Sequence, residues 1–388
     1  MHQLKHFIAA IATVLPVVLA LLLSLVLLQG CFGPPSIDDT MDEYTNRLSR
    51  VLDGSLTEDI HKLENSALLK NSALNKIGSQ THALLLIPSQ TYPSLSDVGN
   101  NVTTLNINIR EFYAIQDCEL GRIVAERNTA LGKTQLPSQR LQYEHRVLNA
   151  LANCEARLKA AEDPIATTVG EWRKQKQSQY ESVWANVVQT SSEIKLGLSM
   201  AASPLLASGN KDAKASVNAL NFVNSLSDIT RFDATSEGGV IKDSEELEEQ
   251  LQIVASSRLP AKLWQTQAVL HNRLLMLNET LPGALSEIDC SNGMNSDKAE
   301  ILRNVFYLFF IEQIQPIAST LNSYHYQLQP LWQQWSDSEV LSEPFKAHIR
   351  THGIDNFAEY SAVMHAHVSL WQDFLGRCNL SPTASGAN

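Results

Sequence analysis

The sequence predicts an all-α protein, a multi-helix bundle built either as one body or as two packed helical lobes with one disulfide each. Three observations lead there. Apolar residues recur mostly three and four apart, and few runs show the strict alternation of a half-buried strand. Glycine and proline punctuate the chain between these periodic stretches. Apolar residues make up 44% of the 388 positions, enough for one large core or two ordinary ones, so disorder is not the default expectation.

The first body helix spans Thr40 to Asp53, with Met41, Tyr44, Leu48, Val51 and Leu52 on one stripe, and stops at Gly54. A second occupies Glu58 to Ile77. Ala83 to Ile87, closed by Pro88, is a short apolar run that fits a buried strand or a helix end. Leu105 to Leu131 and Ser138 to Ala161 are long helical patterns joined by Gly132 through Pro137, with Gly132 suited to closing one helix and Ser138 to capping the next. Together they form an antiparallel hairpin. Cys118 and Cys154 lie at nearly equal distances from its turn, and Cys154 shares a face with Val147, Leu151 and Leu158, so these cysteines are the first expected pair.

Ile165 to Met200 continues as one long helix ending near Pro204. Ser203 to Lys214 and Thr230 to Lys242 are small, polar and glycine-containing loops, and a lobe boundary is placed near residue 205. Asp243 and Glu246 stand at capping-box spacing ahead of the next helix. Behind Pro260, Leu263, Leu270, Leu274, Leu277 and Leu281 form an apolar stripe. Ser296 opens the most hydrophobic helix, Ile301 to Ile311, which is apolar nearly all round and is expected at the centre of the second half. Helices follow around Trp332 and Trp335, up to Gly353, and from Asp355 to Gly376. Cys290 and Cys378 are the second expected pair, fastening the terminal helix to the buried one.

At the N-terminus, Lys5 precedes an apolar run from Ile8 to Leu28 and the junction Leu28-Gln29-Gly30-Cys31, the order of a cleaved export leader. The junction resembles the lipidation box of bacterial lipoproteins. That resemblance implies a thioether diacylglycerol and an amide-linked acyl chain such as palmitate on Cys31, and therefore a membrane attachment through the N-terminal lipid. A retained transmembrane helix is the competing reading, disfavoured because no Lys or Arg follows before Arg47. Residues 1–30 are thus read as signal peptide, 31–36 as tether, 37–204 as an N-terminal helical lobe and 205–388 as a C-terminal one. Phe32 stands where similar lipoproteins carry the Asp of inner-membrane retention, which favours the outer membrane, facing the periplasm. In that oxidising compartment four of the five cysteines remain to pair as two bridges.

The formal net charge of −11 argues against nucleic acid as a partner. No nucleophile elbow, His-Glu-x-x-His, P-loop or Cys-x-x-Cys occurs, so no catalytic residue and no cofactor are assigned. His348 and His352, four apart, with His365 and His367, are the best metal candidates. Because His365 and His367 diverge on a helix and His352 suits a helix C-terminus, a structural role is favoured and no metal is assigned. Trp332, Trp335 and Trp371, with Tyr324, His325 and Tyr326, suit either a ligand groove or, as such residues more often do, the core. The acids Glu245, Glu246, Glu248 and Glu249 fit a solvated first helical turn better than a basic partner's dock.

Phe112 through Leu120, Ala125 through Asn128, Leu131-Gly132-Lys133, Pro137 through Leu141 and Tyr143-Glu144 resemble the bacterial lipoprotein family catalogued as domain of unknown function 3080, although Thr129 and Ala130 depart from its small serine-rich pair. The resemblance implies an exported, lipid-anchored protein and brings no activity with it. Within this hairpin Arg127, Asn128, Lys133, Gln139 and Arg140 form a mostly basic collar on an acidic protein, a candidate partner-binding surface beside the plainer roles of capping and dipole complementation. The resulting expectation is a non-catalytic binder or scaffold for an envelope protein or polymer; a hydrolase of envelope polymers or lipids and a small-ligand sensor are the alternatives.

Overall fold

The computed structural model describes residues 35–54, 56, 58–60, 62, 92–93, 102–127, 136–199, 203–206, 210–228, 244–290 and 296–381. Met1 to Pro34, and with it the leader and Cys31, lies outside them, as do Ala83 to Ile87, Asn128, Lys133 and Asp243. The elements formed by the described residues are all helices, with no strand among them.

Helix α1 (Ile37–Val51) starts three residues earlier than its stripe suggests, because Ser36 and Asp39 close a capping box ahead of it. Ile37, Met41, Tyr44 and Leu48 are fully buried. The expected helix from Leu105 is shorter and broken: Leu105 to Ile107 are not helical, α2 (Ile109–Ile115) is capped by Asn108, and α3 (Glu119–Arg127) follows after a turn. Gly121 permits that break, since a Cβ there would sit 2.8 Å from the Ile115 carbonyl oxygen. Helix α4 (Pro137–Ala160) opens on Pro137, and the Ser138 expected to cap it is instead buried in its first turn.

The long helix expected from Ile165 to Met200 is interrupted as well. Ser191 is extended (φ −63°, ψ 140°) and its hydroxyl donates to the Val187 carbonyl at 2.6 Å, dividing α5 (Ile165–Thr190) from α6 (Ser192–Gly197). Then come α7 (Ala213–Ser225), α8 (Ser244–Ser257) and α9 (Leu259–Ser286). Helix α10 (Asp297–Val305), capped by Ser296, continues through a π-helical segment (Phe306–Ile314) into α11 (Gln315–Asp337). The full burial expected of this segment does not hold: Ile301 is 49% and Leu308 51% exposed, because neighbours cover only the face of Leu302, Phe306 and Phe310. Helix α12 (Glu343–Arg350) also fails to stop near Gly353; a π turn (Thr351–Asp355) carries it into α13 (Asn356–Arg377). Gly353 fits there because a Cβ would meet the Trp332 indole at 3.0 Å.

Two apolar clusters result. The larger is drawn from α1, from the facing ends of α4 and α5, and from α6 through α13, with Trp332, Trp335 and Trp371 fully buried in it; these tryptophans are core and line no groove. The smaller joins α2, α3 and the other ends of α4 and α5 around Leu151 and Trp172. Both expected bridges are present. Cys118–Cys154 sits inside the smaller cluster (Cα–Cα 5.5 Å), and Cys290–Cys378 ties the end of α13 to the segment after α9 (Cα–Cα 4.9 Å). Among the described residues no helix is long and apolar enough to cross a membrane.

Candidate functional site

The two apolar clusters meet at a polar waist. On α4, Leu141 belongs to the larger cluster and Val147 to the smaller; on α5, Tyr180 and Trp172 divide in the same way. Between them lie Glu144 and Lys176, whose side chains are only 3% and 2% exposed and pair at 3.0 Å. Burial pushes the Lys176 ammonium below its ordinary range, and Glu144 opposes that shift. A second hydrogen bond runs from Lys176 Nζ to the Thr103 carbonyl at 2.9 Å, and Thr103 Oγ1 accepts from Gln175 and Gln179. The extended residues before α2 are thereby strapped along α5.

Two guanidiniums complete the cluster. Arg140, one turn before Glu144, closes on the same carboxylate, while its Nε is buried without a hydrogen-bond partner. Arg127, the last residue of α3, lies over the Tyr143 ring with its guanidinium carbon 4.9 Å from the centroid, and Arg140 lies over the same ring at 5.6 Å. Burial, and then repulsion from Arg140, holds Arg127 below its usual range. Two cations thus pair with one buried carboxylate, and a third lies across the neighbouring ring.

Of the predicted collar, Arg127 and Arg140 are brought together here. Gln139 is not part of the cluster: its side-chain oxygen accepts from the Leu136 N–H at 3.2 Å, a capping role. Asn128 and Lys133 fall outside the described residues. Tyr143 and Glu144 enter the sequence reading only through the family resemblance, and Lys176 not at all, yet the sequence carries a signal for them. Lys176 stands four residues from both Trp172 and Tyr180, and Glu144 three from both Leu141 and Val147, so each polar residue occupies a core position of its helix.

The C-terminal histidines are arranged differently. His367 is fully buried; its Nδ1 donates to Asn278 Oδ1 at 2.8 Å, so its Nε2 accepts from the Tyr44 hydroxyl at 3.0 Å and the Trp371 indole at 3.1 Å. Burial lowers it to about 3, keeping the ring neutral. His348 reaches the Leu198 carbonyl at 3.2 Å. His352, expected at a helix C-terminus, instead stacks on Trp264 at 5.3 Å within a continuous helical path and is lowered by burial to about 4. His365 is exposed. No group of three or more His, Cys, Asp or Glu is arranged to hold a metal among the described residues.

These features define a helical, disulfide-stapled protein with a buried ion pair at the junction of two cores. The model of the family described as protein of unknown function (DUF3080) matches residues 72–382, and the chain belongs to that family. No curated protein and no solved structure matches it.

Proposed function

We propose that the mature chain is a lipid-anchored, non-catalytic binding protein of the cell envelope, attached through Cys31 at the periplasmic face of the outer membrane, and that it engages an anionic partner at the waist. The observation that carries this reading is the pairing of Arg140 and Lys176 with the buried Glu144, beside Arg127 on the Tyr143 ring, on a protein of net charge −11. Charge of the opposite sign to the bulk, concentrated in one place, steers and orients an acidic partner.

The leader supports the anchor. Only five residues separate Cys31 from Ile37, and Ile37 is already core, so the six steps of the tether reach about 20 Å at most and hold the body close to the bilayer. A hydrolase would need a histidine with Asp or Glu in reach, in an open cleft. Among the described residues the bonds of His348 and His367 run to a backbone carbonyl, Asn278, Tyr44 and Trp371, which favours binding over catalysis.

Labelled palmitate tests the anchor: wild type takes it up and Cys31→Ser does not. For the contact surface, a photo-crosslinker placed at Arg146 in intact cells yields one discrete adduct. That adduct disappears in Arg127→Ala/Arg140→Ala while helicity and both bridges persist. An adduct indifferent to the two arginines refutes the waist as the contact.

A further inference from the structure

We propose a second binding site, for an acidic saccharide, in the cleft between the start of α7 and the first half of α11. The cleft has a volume of about 450 Å³ and is lined, among the described residues, by Lys214, Ser319, Thr320, Ser323, Tyr324 and Gln327. None of these belongs to the waist. The volume lies within the range of small-ligand sites, about 300 to 1,000 Å³, but apart from the Tyr324 ring the lining is polar where such sites are mostly apolar. A wall of this kind selects a ligand that is polar over most of its surface.

The sequence builds that wall by repeating polar residues along one face of α11. Ser319, Ser323 and Gln327 stand four apart, as do Thr320 and Tyr324, while Leu321, His325 and Leu328 turn into the core. A solvated helix face is ordinarily convex; here the start of α7 stands across it and makes a hollow.

The groups in the hollow divide into donors and acceptors. The Thr320 hydroxyl donates to the Pro316 carbonyl at 2.9 Å and the Gln327 amide to the Ser323 carbonyl at 3.1 Å, which leaves the Thr320 oxygen and Gln327 Oε1 to accept. The Ser319 and Tyr324 hydroxyls have no hydrogen-bond partner among the described residues. Lys214 has no ion-pair partner among them either, and Asp212, the nearest acid along α7, pairs with Lys262 at 3.7 Å. A phosphate or a bare carboxylate only accepts and would leave the two acceptors idle, whereas a sugar hydroxyl donates and accepts at once. Lys214 supplies one positive charge for one acid group on the sugar. Tyr324, half-buried against the larger cluster, adds an apolar ring with a polar edge, which suits the C–H face and hydroxyl rim of a pyranose.

The test titrates the full chain in detergent micelles with glucuronate, glucose and acetate, followed by saturation-transfer NMR on the ligand resonances. Lys214→Gln weakens glucuronate about tenfold, as loss of one charge-assisted hydrogen bond would, and leaves glucose within about twofold. Thr320→Val and Tyr324→Phe each weaken both sugars by roughly threefold to tenfold, since each removes one neutral hydrogen bond. Lys174→Gln makes the same charge change at an exposed residue of α5 and shifts neither sugar by more than about twofold. Should Thr320→Val lose helicity by circular dichroism, Tyr324→Phe carries that arm alone.

Glucuronate bound more tightly than glucose, with the difference erased by Lys214→Gln, supports the site. Acetate bound as tightly as glucuronate reduces the cleft to an anion site and overturns the saccharide assignment. Silence from both sugars, or an equal loss in Lys174→Gln, overturns it as well. The arginine-dependent crosslink is indifferent to all of these results, so this site and the waist stand or fall separately.

Discussion

Between its two apolar clusters the protein buries Glu144 and Lys176 as charges that answer each other, whereas in the C-terminal core it buries His271, His325, His352 and His367 as neutral rings. The difference follows from what each group can become. A lysine or glutamate with no partner in a dry interior faces a desolvation penalty of several kcal/mol, so each needs the other. An imidazole can shed its proton and enter the core as a polar aromatic, as His325 does by stacking on Phe357 with centroids 3.3 Å apart. The waist therefore stays charged. The histidine core has given up its charge and, with it, its tolerance of acid.

Acid is the strongest way to separate the two regions. Histidine in the unfolded chain titrates near 6.5; burial holds His271, His325 and His352 at about 4 and His367 at about 3. As pH falls the unfolded state takes up protons first, so stability is full above about 6.5 and is lost progressively down to about 4, at up to roughly 1.4 kcal/mol per pH unit for each ring. Urea unfolding at pH 7.5, 6 and 5 should show a loss of several kcal/mol in total, and His271→Leu should flatten the curve. His271 is the sharpest choice because neither of its ring nitrogens has a hydrogen-bond partner. A stability that does not change over this range would mean that the buried rings are not neutral.

The two bridges rank next. Cys290→Ser/Cys378→Ser opens a separation of 88 residues and should cost about 4 to 5 kcal/mol; Cys118→Ser/Cys154→Ser, with a separation of 36, should cost about 4 in the chain-entropy model. Limited proteolysis would add the location: the second variant should expose α2 and α3 while the larger core stays protected. Lys176→Met strands Glu144 and should cost about 3 kcal/mol, softened by Arg140, and Lys176→Met/Glu144→Leu should recover most of it. If the double variant is no better than the single one, the pair is not the buried unit described. The smallest effect belongs to Tyr44→Phe, about 1 kcal/mol by thermal unfolding, because Trp371 still donates to His367 Nε2.

Much of this architecture could be read from residue spacing. The stripe of Leu263, Leu270, Leu274, Leu277 and Leu281 is buried along α9, and Phe357, Tyr360, His367, Trp371 and Phe374 line the buried face of α13. Both cysteine pairs were also legible, one from distance to a turn and the other from the helices it would join. Of the candidate site, Arg127 and Arg140 were visible as basic residues around that turn. Their convergence on Tyr143 was not, because periodicity ranks residues by hydrophobicity and passes over a lysine at a core position.

By itself the sequence determined the helical class, the faces that turn inward and the cysteines that meet, since each is encoded in a repeat of three to four residues or in distance along the chain. Tertiary structure alone decided where helices break, at Gln116 to Cys118 and at Ser191, and where they persist, through the π turn at Gly353. It also decided which polar groups go inside. Those outcomes depend on partners distant in sequence: Thr103 for Lys176, Asn278 and Tyr44 for His367, Trp332 for Gly353. A buried polar group is tolerated only where such a partner arrives, and that is a property of the assembled fold rather than of any one helix.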